Sequence, residues 1–167
     1  DIYGSFNYFR FNRINSTNID SISLGALGLT INNTFESNII IDNGKIQLNM
    51  GSSTDYTYLK NQQILNYLFA GAGGRIIVEN TVYGQISFIE AVNGAGYNLF
   101  GNANSSIRFA DNYVFVNSSV VGLNKSANIN LYRIGERGFY FPAIMRDRFY
   151  VCDATTNPSC SNFSELN

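Results

Sequence analysis

The chain has 167 residues, which is the length of one domain or of two small ones. It contains no His, which excludes Ser-His-Asp catalysis, His-ligated zinc and imidazole acid–base chemistry. Charged residues make up 14% of the chain and the net charge is −1, so no excess of positive charge is present to bind nucleic acid. No apolar run reaches the roughly 18 residues of a membrane helix, so no transmembrane segment is predicted.

The polar residues are mainly Asn, which occurs 24 times, whereas Lys occurs three times. Asn forms turns and hydrogen bonds without adding charge. This composition is typical of an extracellular structural protein and not of a cytosolic enzyme. The sequence therefore predicts an extracellular or cell-surface location, no enzymatic activity, no cofactor and no metal.

The chain begins with an unusually aromatic segment. As a strand, it places Tyr3, Phe9 and Phe11 on one face and Phe6 and Tyr8 on the other. Aromatic residues on both faces need cover on both faces. The segment is therefore interpreted either as a core strand of its own domain or as a strand donated to a neighbouring subunit. Repeated donation builds a head-to-tail polymer, because a heterologous contact does not close.

Short alternating or β-branched runs predict strands along most of the chain. These runs cover residues 39–41, 45–50, 75–78, 85–89, 106–109, 113–116 and 128–131. Alternation places Ile46, Leu48 and Met50 on one face of their strand. Segments 42–44 (DNG) and 93–94 (NG) predict turns between strands.

Two segments depart from the strand pattern. The spacing of apolar residues predicts a helix over 59–69, which ends at the glycines of 71–74. Segment 21–29 is apolar and contains two glycines, so a loop, a strand or a short helix remains open there.

The spacing of the strands predicts an all-β fold. It fits a short-strand parallel β-helix and, nearly as well, a β-sandwich. A weak repeat relates 3–6 to 83–86 and 41–43 to 110–112. It predicts two tandem β units, 1–72 with the aromatic first strand and 73–167 with a disulfide loop. One continuous domain is the alternative.

Cys152 and Cys160 flank a turn-forming loop, so we expect a disulfide between them and an oxidising compartment. A bridge across a loop of this length stabilises the fold by about 2–3 kcal/mol in the chain-entropy model. Sequons for N-linked glycans are also present, as expected of a secreted chain. They begin at Asn15, Asn32, Asn104, Asn117, Asn124 and Asn162.

Arginine and aromatic residues alternate between positions 132 and 150, a composition used to bind glycans or partner proteins. The predicted partner-binding residues there are Arg133, Arg137, Tyr140, Arg146 and Arg148. A parallel β-helix can also align carboxylates for glycoside chemistry. The acidic candidates for that reading, Asp42, Glu90 and Asp111, lie in ordinary turn contexts.

Segments 111–119 (DNYVFVNSS) and 122–132 (GLNKSANINLY), followed by Arg146-Asp147 and the two cysteines, resemble a recurrent module. The module occurs in predicted cell-surface proteins of small-genome archaea of the DPANN type, close to parallel β-helix repeats. The resemblance covers residues 83–162, and 83–88 is similar to the upstream strand of the module. The chain departs from the module at Asn130, where the family has Thr, and the family continues with further strands beyond the position of Asn167. The resemblance implies an extracellular, repetitive and structural protein.

These observations predict a structural subunit of a surface layer or filament. It self-associates through strand edges and carries N-linked glycans. The alternative is an adhesin module that binds glycan or protein through residues 132–150.

Overall fold

The computed structural model describes residues 2, 4–15, 20–25, 28–41, 44–70, 74–134, 136, 145–146 and 150–151. These residues form 18 strands and no α-helix, which confirms the predicted all-β class. The strands are β1 (Tyr8–Arg10), β2 (Arg13–Asn15), β3 (Ile22–Leu24), β4 (Thr30–Ile31), β5 (Thr34–Glu36), β6 (Ile39–Ile41), β7 (Leu48–Met50), β8 (Thr54–Asp55), β9 (Thr57–Lys60), β10 (Ile64–Phe69), β11 (Ile76–Asn80), β12 (Gly84–Phe88), β13 (Gly94–Phe100), β14 (Ile107–Ala110), β15 (Tyr113–Val116), β16 (Ala127–Leu131), β17 (Met145–Arg146) and β18 (Tyr150–Val151).

The first eleven strands wind as stacked coils. β1, β5, β9 and β11 are parallel neighbours in that order, and so are β3, β7 and β10. β2 pairs in parallel with β6, and β4 with β8. Every strand of the first coil therefore lies beside its counterpart in the second. This is the arrangement of a parallel β-helix.

The coils share a backbone pattern that sets their corners. Two non-glycine positions per coil adopt positive φ, one before and one after the strand that belongs to the first sheet. In three successive coils, the first corner is occupied by Phe6, Asn32 and Tyr56, and the second corner is occupied by Phe11, Ser37 and Asn61. Both sets repeat from coil to coil at the same intervals as the strand register. The left-handed conformation turns the chain sharply, so a strand of three or four residues fits between two corners.

One row of side chains fills the interior behind this first sheet. Phe9, Phe35, Leu59, Val78 and Ile86 occupy matching register positions on successive strands. Phe35, Leu59, Val78 and Ile86 are buried, and the Phe9 ring stacks on the Phe35 ring with centroids 5.0 Å apart. The alternation of strands sends the flanking residues of each strand to the outer face.

Strands after residue 80, most of them paired antiparallel, complete both sheets. β12 is antiparallel to β11, and β16 is antiparallel to β12. β13 is antiparallel to β10, β14 is parallel to β13, and β15 is antiparallel to β14. The result is two six-stranded sheets, in the orders β1-β5-β9-β11-β12-β16 and β15-β14-β13-β10-β7-β3.

The helix predicted over 59–69 is wrong, because this segment forms the end of β9 and the whole of β10. The register of β10 against β13 shifts between Ile64 and Asn66. This bulge puts buried Ile64 and buried Tyr67 three residues apart, a spacing that imitates a helix. In segment 21–29, whose structure the sequence leaves open, residues 22–24 form β3. Six of the seven strands predicted elsewhere are confirmed to within two residues at both ends, and the seventh, predicted over 45–50, begins three residues late at Leu48.

The chain divides into two compact units, Asp1–Tyr132 and Arg133–Asn167. Within the second unit, β17 pairs antiparallel with β18. Within the first, the pairs β9–β11 and β10–β13 cross segment 71–74, where the sequence predicts a boundary. The repeating unit of the structure is one coil, which carries β1 onto β5 and is much shorter than the predicted repeat. The predicted partners 3–6 and 83–86 differ in setting, since 84–86 lie in an antiparallel strand whereas 4–6 precede β1.

Candidate functional site

Amide side chains join the coils at the corners of the stack. The backbone N–H and the Nδ2 of Asn7 both donate to Oδ1 of Asn33, at 3.0 and 2.9 Å. Asn12 donates in the same way to Oδ1 of Asn38, at 2.9 and 3.0 Å. Asn38 in turn donates its N–H and Nδ2 to Oε1 of Gln62, both at 2.9 Å. Each amide oxygen therefore accepts two hydrogen bonds from the coil before it.

The first sheet ends on β1, whose outer edge is open among the described residues. Thr34 donates its N–H to the carbonyl of Asn7 at 2.8 Å, and Phe11 donates to the carbonyl of Glu36 at 3.1 Å. Since backbone groups alternate along a strand, the odd-numbered residues of β1 bond to β5. The N–H and C=O of Tyr8 and Arg10 consequently point away from the sheet.

β16 forms the opposite end of the same sheet. Ile89 donates its N–H to the carbonyl of Ser126 at 3.0 Å, and Tyr132 donates to the carbonyl of Tyr83 at 2.9 Å. Even-numbered residues of β16 therefore bond to β12, and the backbone groups of Ala127, Ile129 and Leu131 face outward. Nothing in the described ranges pairs with this edge.

The two open edges run in the same direction. β16 is antiparallel to β12, and β12 is antiparallel to β11, so β16 is parallel to β11 and to the strands before it. The second sheet has the same property, because β15 is parallel to β3. Its β3 edge is partly used, since Ile2 bridges to Leu24 and donates its N–H to the carbonyl of Ser23 at 2.9 Å.

Large apolar side chains are exposed at both ends of the first sheet. Around β1 the exposed fractions are 75% for Phe6, 56% for Tyr8 and 66% for Phe11. On β16, Ile129 is 52% exposed although its neighbour in the row, Ile86, is buried. At these ends, backbone groups that no described residue pairs with coincide with exposed apolar side chains, which is the property of an association-prone strand edge.

The outer face of the sheet carries a row of alternating charge. Arg10, Glu36, Lys60 and Glu79 occupy matching positions on β1, β5, β9 and β11. Arg10 pairs with Glu36 at 3.3 Å. Opposite charges on neighbouring strands stabilise this strand order, and like charges would oppose it.

Tyrosine hydroxyls cover the two carboxylates of this row. Tyr8 donates to Glu36, while Tyr58 and Tyr132 donate to Glu79, the latter at 2.9 Å. Both glutamates are buried. Burial, followed by the hydrogen bond to Glu79, raises the pKa of Tyr58 and raises the pKa of Tyr132 to about 12.

We expect the free energy of unfolding to fall as the pH rises above about 10. A tyrosine whose pKa is raised by folding loses its proton first in the unfolded chain, so its stabilisation is complete below about pH 10 and is lost between about pH 10 and about pH 12. Urea unfolding between about pH 8 and about pH 12 measures this slope. The double variant Tyr58→Phe with Tyr132→Phe should flatten it, whereas Tyr97→Phe, at an exposed position, should not. An equal slope in both variants would contradict the assignment.

The predicted aromatic strand is only partly in the described residues. Tyr8 and Phe9 lie in β1, with Phe6 and Phe11 at its two corners, while Tyr3 lies outside the described residues. Phe9 packs inward, whereas the other three described residues are exposed.

Five of the six sequons lie in the described part of the chain. Asn15, Asn32, Asn104 and Asn124 are exposed. Asn117 is half-buried, and its Oδ1 accepts a hydrogen bond from the N–H of Ser119 at 3.1 Å. Asn162 lies outside the described residues, and so do Cys152 and Cys160.

The predicted Arg–aromatic region falls mostly outside the described residues, which include none of Arg137, Tyr140 and Arg148. Arg133 is exposed and pairs with Glu136 at 2.8 Å, and Arg146 lies in β17. A surface that also combines an arginine with an aromatic ring lies at β14 and β15, where the Arg108 guanidinium stacks 4.1 Å from the Phe115 ring centroid. It borders an open groove of about 450 Å³ lined by Phe100, Gly101, Asn102, Ala103, Ile107, Arg108, Phe109, Ala110 and Tyr113.

The acidic candidates do not share the charged row. Glu90 is exposed and lies 3.8 Å from Lys125, Asp111 lies in the turn between β14 and β15, and Asp42 is outside the described residues. The carboxylates that the coils do align are Glu36 and Glu79. The described residues contain no group of three side chains suited to hold a metal ion.

The amide ladder and the two sheet ends were not predicted from the sequence. A signal for the ladder is present, since the spacing between Asn7 and Asn12 recurs one coil later between Asn33 and Asn38. The sequences of the edge strands carry no such signal, because only the order of the strands in the sheet decides which strands lie at its two edges.

Searches with this chain match no protein-family model, no curated protein and no solved structure. In the part of the chain that the structure describes, no helix has the length and hydrophobicity to span a membrane.

Proposed function

We propose that this chain is a structural subunit of an extracellular, cell-surface assembly that grows head to tail. In this assembly, the β16 edge of one copy adds to the β1 edge of the next. The observation that carries the proposal is the common direction of these two edges at opposite ends of one sheet. A second copy placed by translation along the stack extends the sheet by parallel pairing.

Two further properties support assembly over a closed dimer. An edge that meets a different edge makes a heterologous contact, which propagates. The second sheet also has edge strands of matching direction, with part of its β3 edge taken by Ile2, so it too can take part in the contact with the next copy. Exposed aromatic residues around β1 would lose water-accessible surface on association, which favours it.

The extracellular location rests on the composition, on the predicted disulfide between Cys152 and Cys160 and on the sequons. Four of the sequon asparagines are exposed, which a glycan requires. The resemblance of 83–162 to a module of archaeal cell-surface proteins points in the same direction. Glycans on these asparagines would cover the outer surface of the assembly.

The proposal predicts that the purified chain polymerises with rising concentration and that one edge substitution stops it. The N–H of Ile129 faces the open edge, so Ile129→Pro removes an outward donor and leaves the bonds to β12 in place. Ile129→Lys places a charge on the same edge, a device that blocks strand addition. Ile129→Val keeps both the donor and the apolar surface and serves as the matched control.

Sedimentation velocity over a range of concentrations and negative-stain electron microscopy provide the measurement. We expect filaments from the wild-type and Ile129→Val chains and monomers from Ile129→Pro and Ile129→Lys. Circular dichroism and thermal unfolding identify a variant that has lost its fold. A wild-type chain that stays monomeric, or a folded Ile129→Lys chain that still forms filaments, overturns the proposal.

The second candidate function is an adhesin module that binds glycan or protein. The sequence assigns this binding to residues 132–150, which lie mostly outside the described residues, whereas the groove beside Arg108 and Phe115 is a described surface with the same stacked arginine and aromatic side chains, which bind both kinds of partner. An array of immobilised glycans, probed with wild-type and Arg108→Gln chains, tests it. Signal that is equal for both chains counts against the groove.

A further inference from the structure

We infer that the two edges meet in a single register, in which Ile129 of one copy lies opposite Phe9 of the next. This inference rests on the proposed head-to-tail assembly and specifies its contact. The interior row of the first sheet runs through Phe9, Phe35, Leu59, Val78 and Ile86 and continues to Ile129. Ile129 is the last member of this row. No described strand lies beyond it, and its side chain is 52% exposed.

The backbone groups of the two edges are complementary in the same register. Tyr8 and Arg10 offer outward N–H and C=O groups, and so do Ala127, Ile129 and Leu131. In parallel pairing, a residue whose backbone faces the neighbouring strand bonds to the two residues that flank the residue opposite it. With Ile129 opposite Phe9, Ile129 accepts from Arg10 and donates to Tyr8. A shift of one residue would direct the donors and acceptors away from one another and would move the interior row to the outer face.

The amide ladder fits this register. In the first coil, Asn7 is the residue that corresponds to Asn33 in the second coil, where Oδ1 of Asn33 accepts the N–H of Asn7. The register places Ala127 of the preceding copy opposite Asn7, and the N–H of Ala127 faces outward. The backbone of the preceding copy thus supplies the donor that continues the ladder by one step.

The outer face provides a means of distinguishing this register experimentally from one that is shifted by two residues. With Ile129 opposite Phe9, Asn130 lies opposite Arg10 and Asn128 lies opposite Tyr8. Arg10 ends the charged row with its side chain 52% exposed, and β16 contains no charged residue that would repel it. If the register were shifted by two residues, Asn130 would lie opposite Tyr8 or opposite Asn12 and would no longer face Arg10.

The test uses two matched substitutions on one strand, Asn130→Asp and Asn128→Asp. Both add one negative charge to the same exposed face, two residues apart. We expect Asn130→Asp to lower the critical concentration for assembly about two- to fivefold relative to Asn128→Asp, because only that carboxylate faces Arg10 at an exposed site. High salt should abolish the difference, as should Arg10→Gln in the same chain.

The outcomes separate the register from the assembly itself. If the wild-type chain assembles but the two variants shift its critical concentration equally, or Asn128→Asp has the larger effect, the register is wrong and head-to-tail assembly stands. If the wild-type chain does not assemble at any concentration, the proposed function fails and the register fails with it. A gain for Asn130→Asp that depends on Arg10 supports both.

Discussion

The Phe35→Ala variant is expected to lose about 3–5 kcal/mol of unfolding free energy. Phe35 is buried in the second coil, its ring stacks on Phe9, and Leu59 lies beside it in the next coil. The substitution removes apolar contacts in both directions along the stack and leaves a cavity that short strands between fixed corners can close only in part. Urea unfolding followed by circular dichroism measures the loss.

The control for this prediction is Tyr97→Ala, which truncates an aromatic side chain that is 77% exposed on β13. We expect it to change the free energy of unfolding by less than about 0.5 kcal/mol. Similar losses in the two variants would mean that the interior row does not carry the stability of the stack.

The Asn38→Ala variant is expected to cost about 2–4 kcal/mol, although it removes only a small polar side chain. Asn38 is buried, its Oδ1 accepts two hydrogen bonds from Asn12, and its Nδ2 donates to the carbonyl of Phe9 at 3.0 Å and to Oε1 of Gln62. Alanine leaves these partners without bonds at a coil corner, where unpaired polar groups are costly.

Asn124→Ala is the matched control for the ladder, because Asn124 is exposed. We expect a change of less than about 0.5 kcal/mol in its unfolding free energy. If Asn38→Ala is as mild as this control, solvent replaces the ladder bonds and the corners are held by strand pairing instead. Thermal unfolding of both variants gives an independent reading.

The individual strands were predictable because each depends on local sequence. Segment 113–116, for example, is β-branched and aromatic and is bounded by Asn, so its strand follows from propensity and turn chemistry. The helix predicted over 59–69 failed because a bulge between Ile64 and Asn66 replaces the period of two with a spacing of three. A bulge is defined by the partner strand, and the partner β13 follows β10 only after two intervening strands.

The candidate site was predictable only in its composition. The aromatic segment around Phe6, Tyr8 and Phe11 drew attention to strand donation, and the structure places these residues around an edge strand. The opposite edge was missed, since Asn128–Asn130 is an ordinary strand sequence. Its exposure follows from β16 being last in the sheet, which depends on the antiparallel strands before it.

By itself, the sequence determined the all-β class, most of the strands and the absence of His from any chemistry, because these follow from residue types and short-range periodicity. Only the tertiary structure decided that the first coils stack in parallel, that asparagines of successive coils join into ladders, and that Glu36 and Glu79 share a row. The tertiary structure also decided that the two edge strands of the first sheet, β1 and β16, run in the same direction. These properties depend on which distant strands pair and in what register, and pairing is selected by the burial of the whole interior row at once.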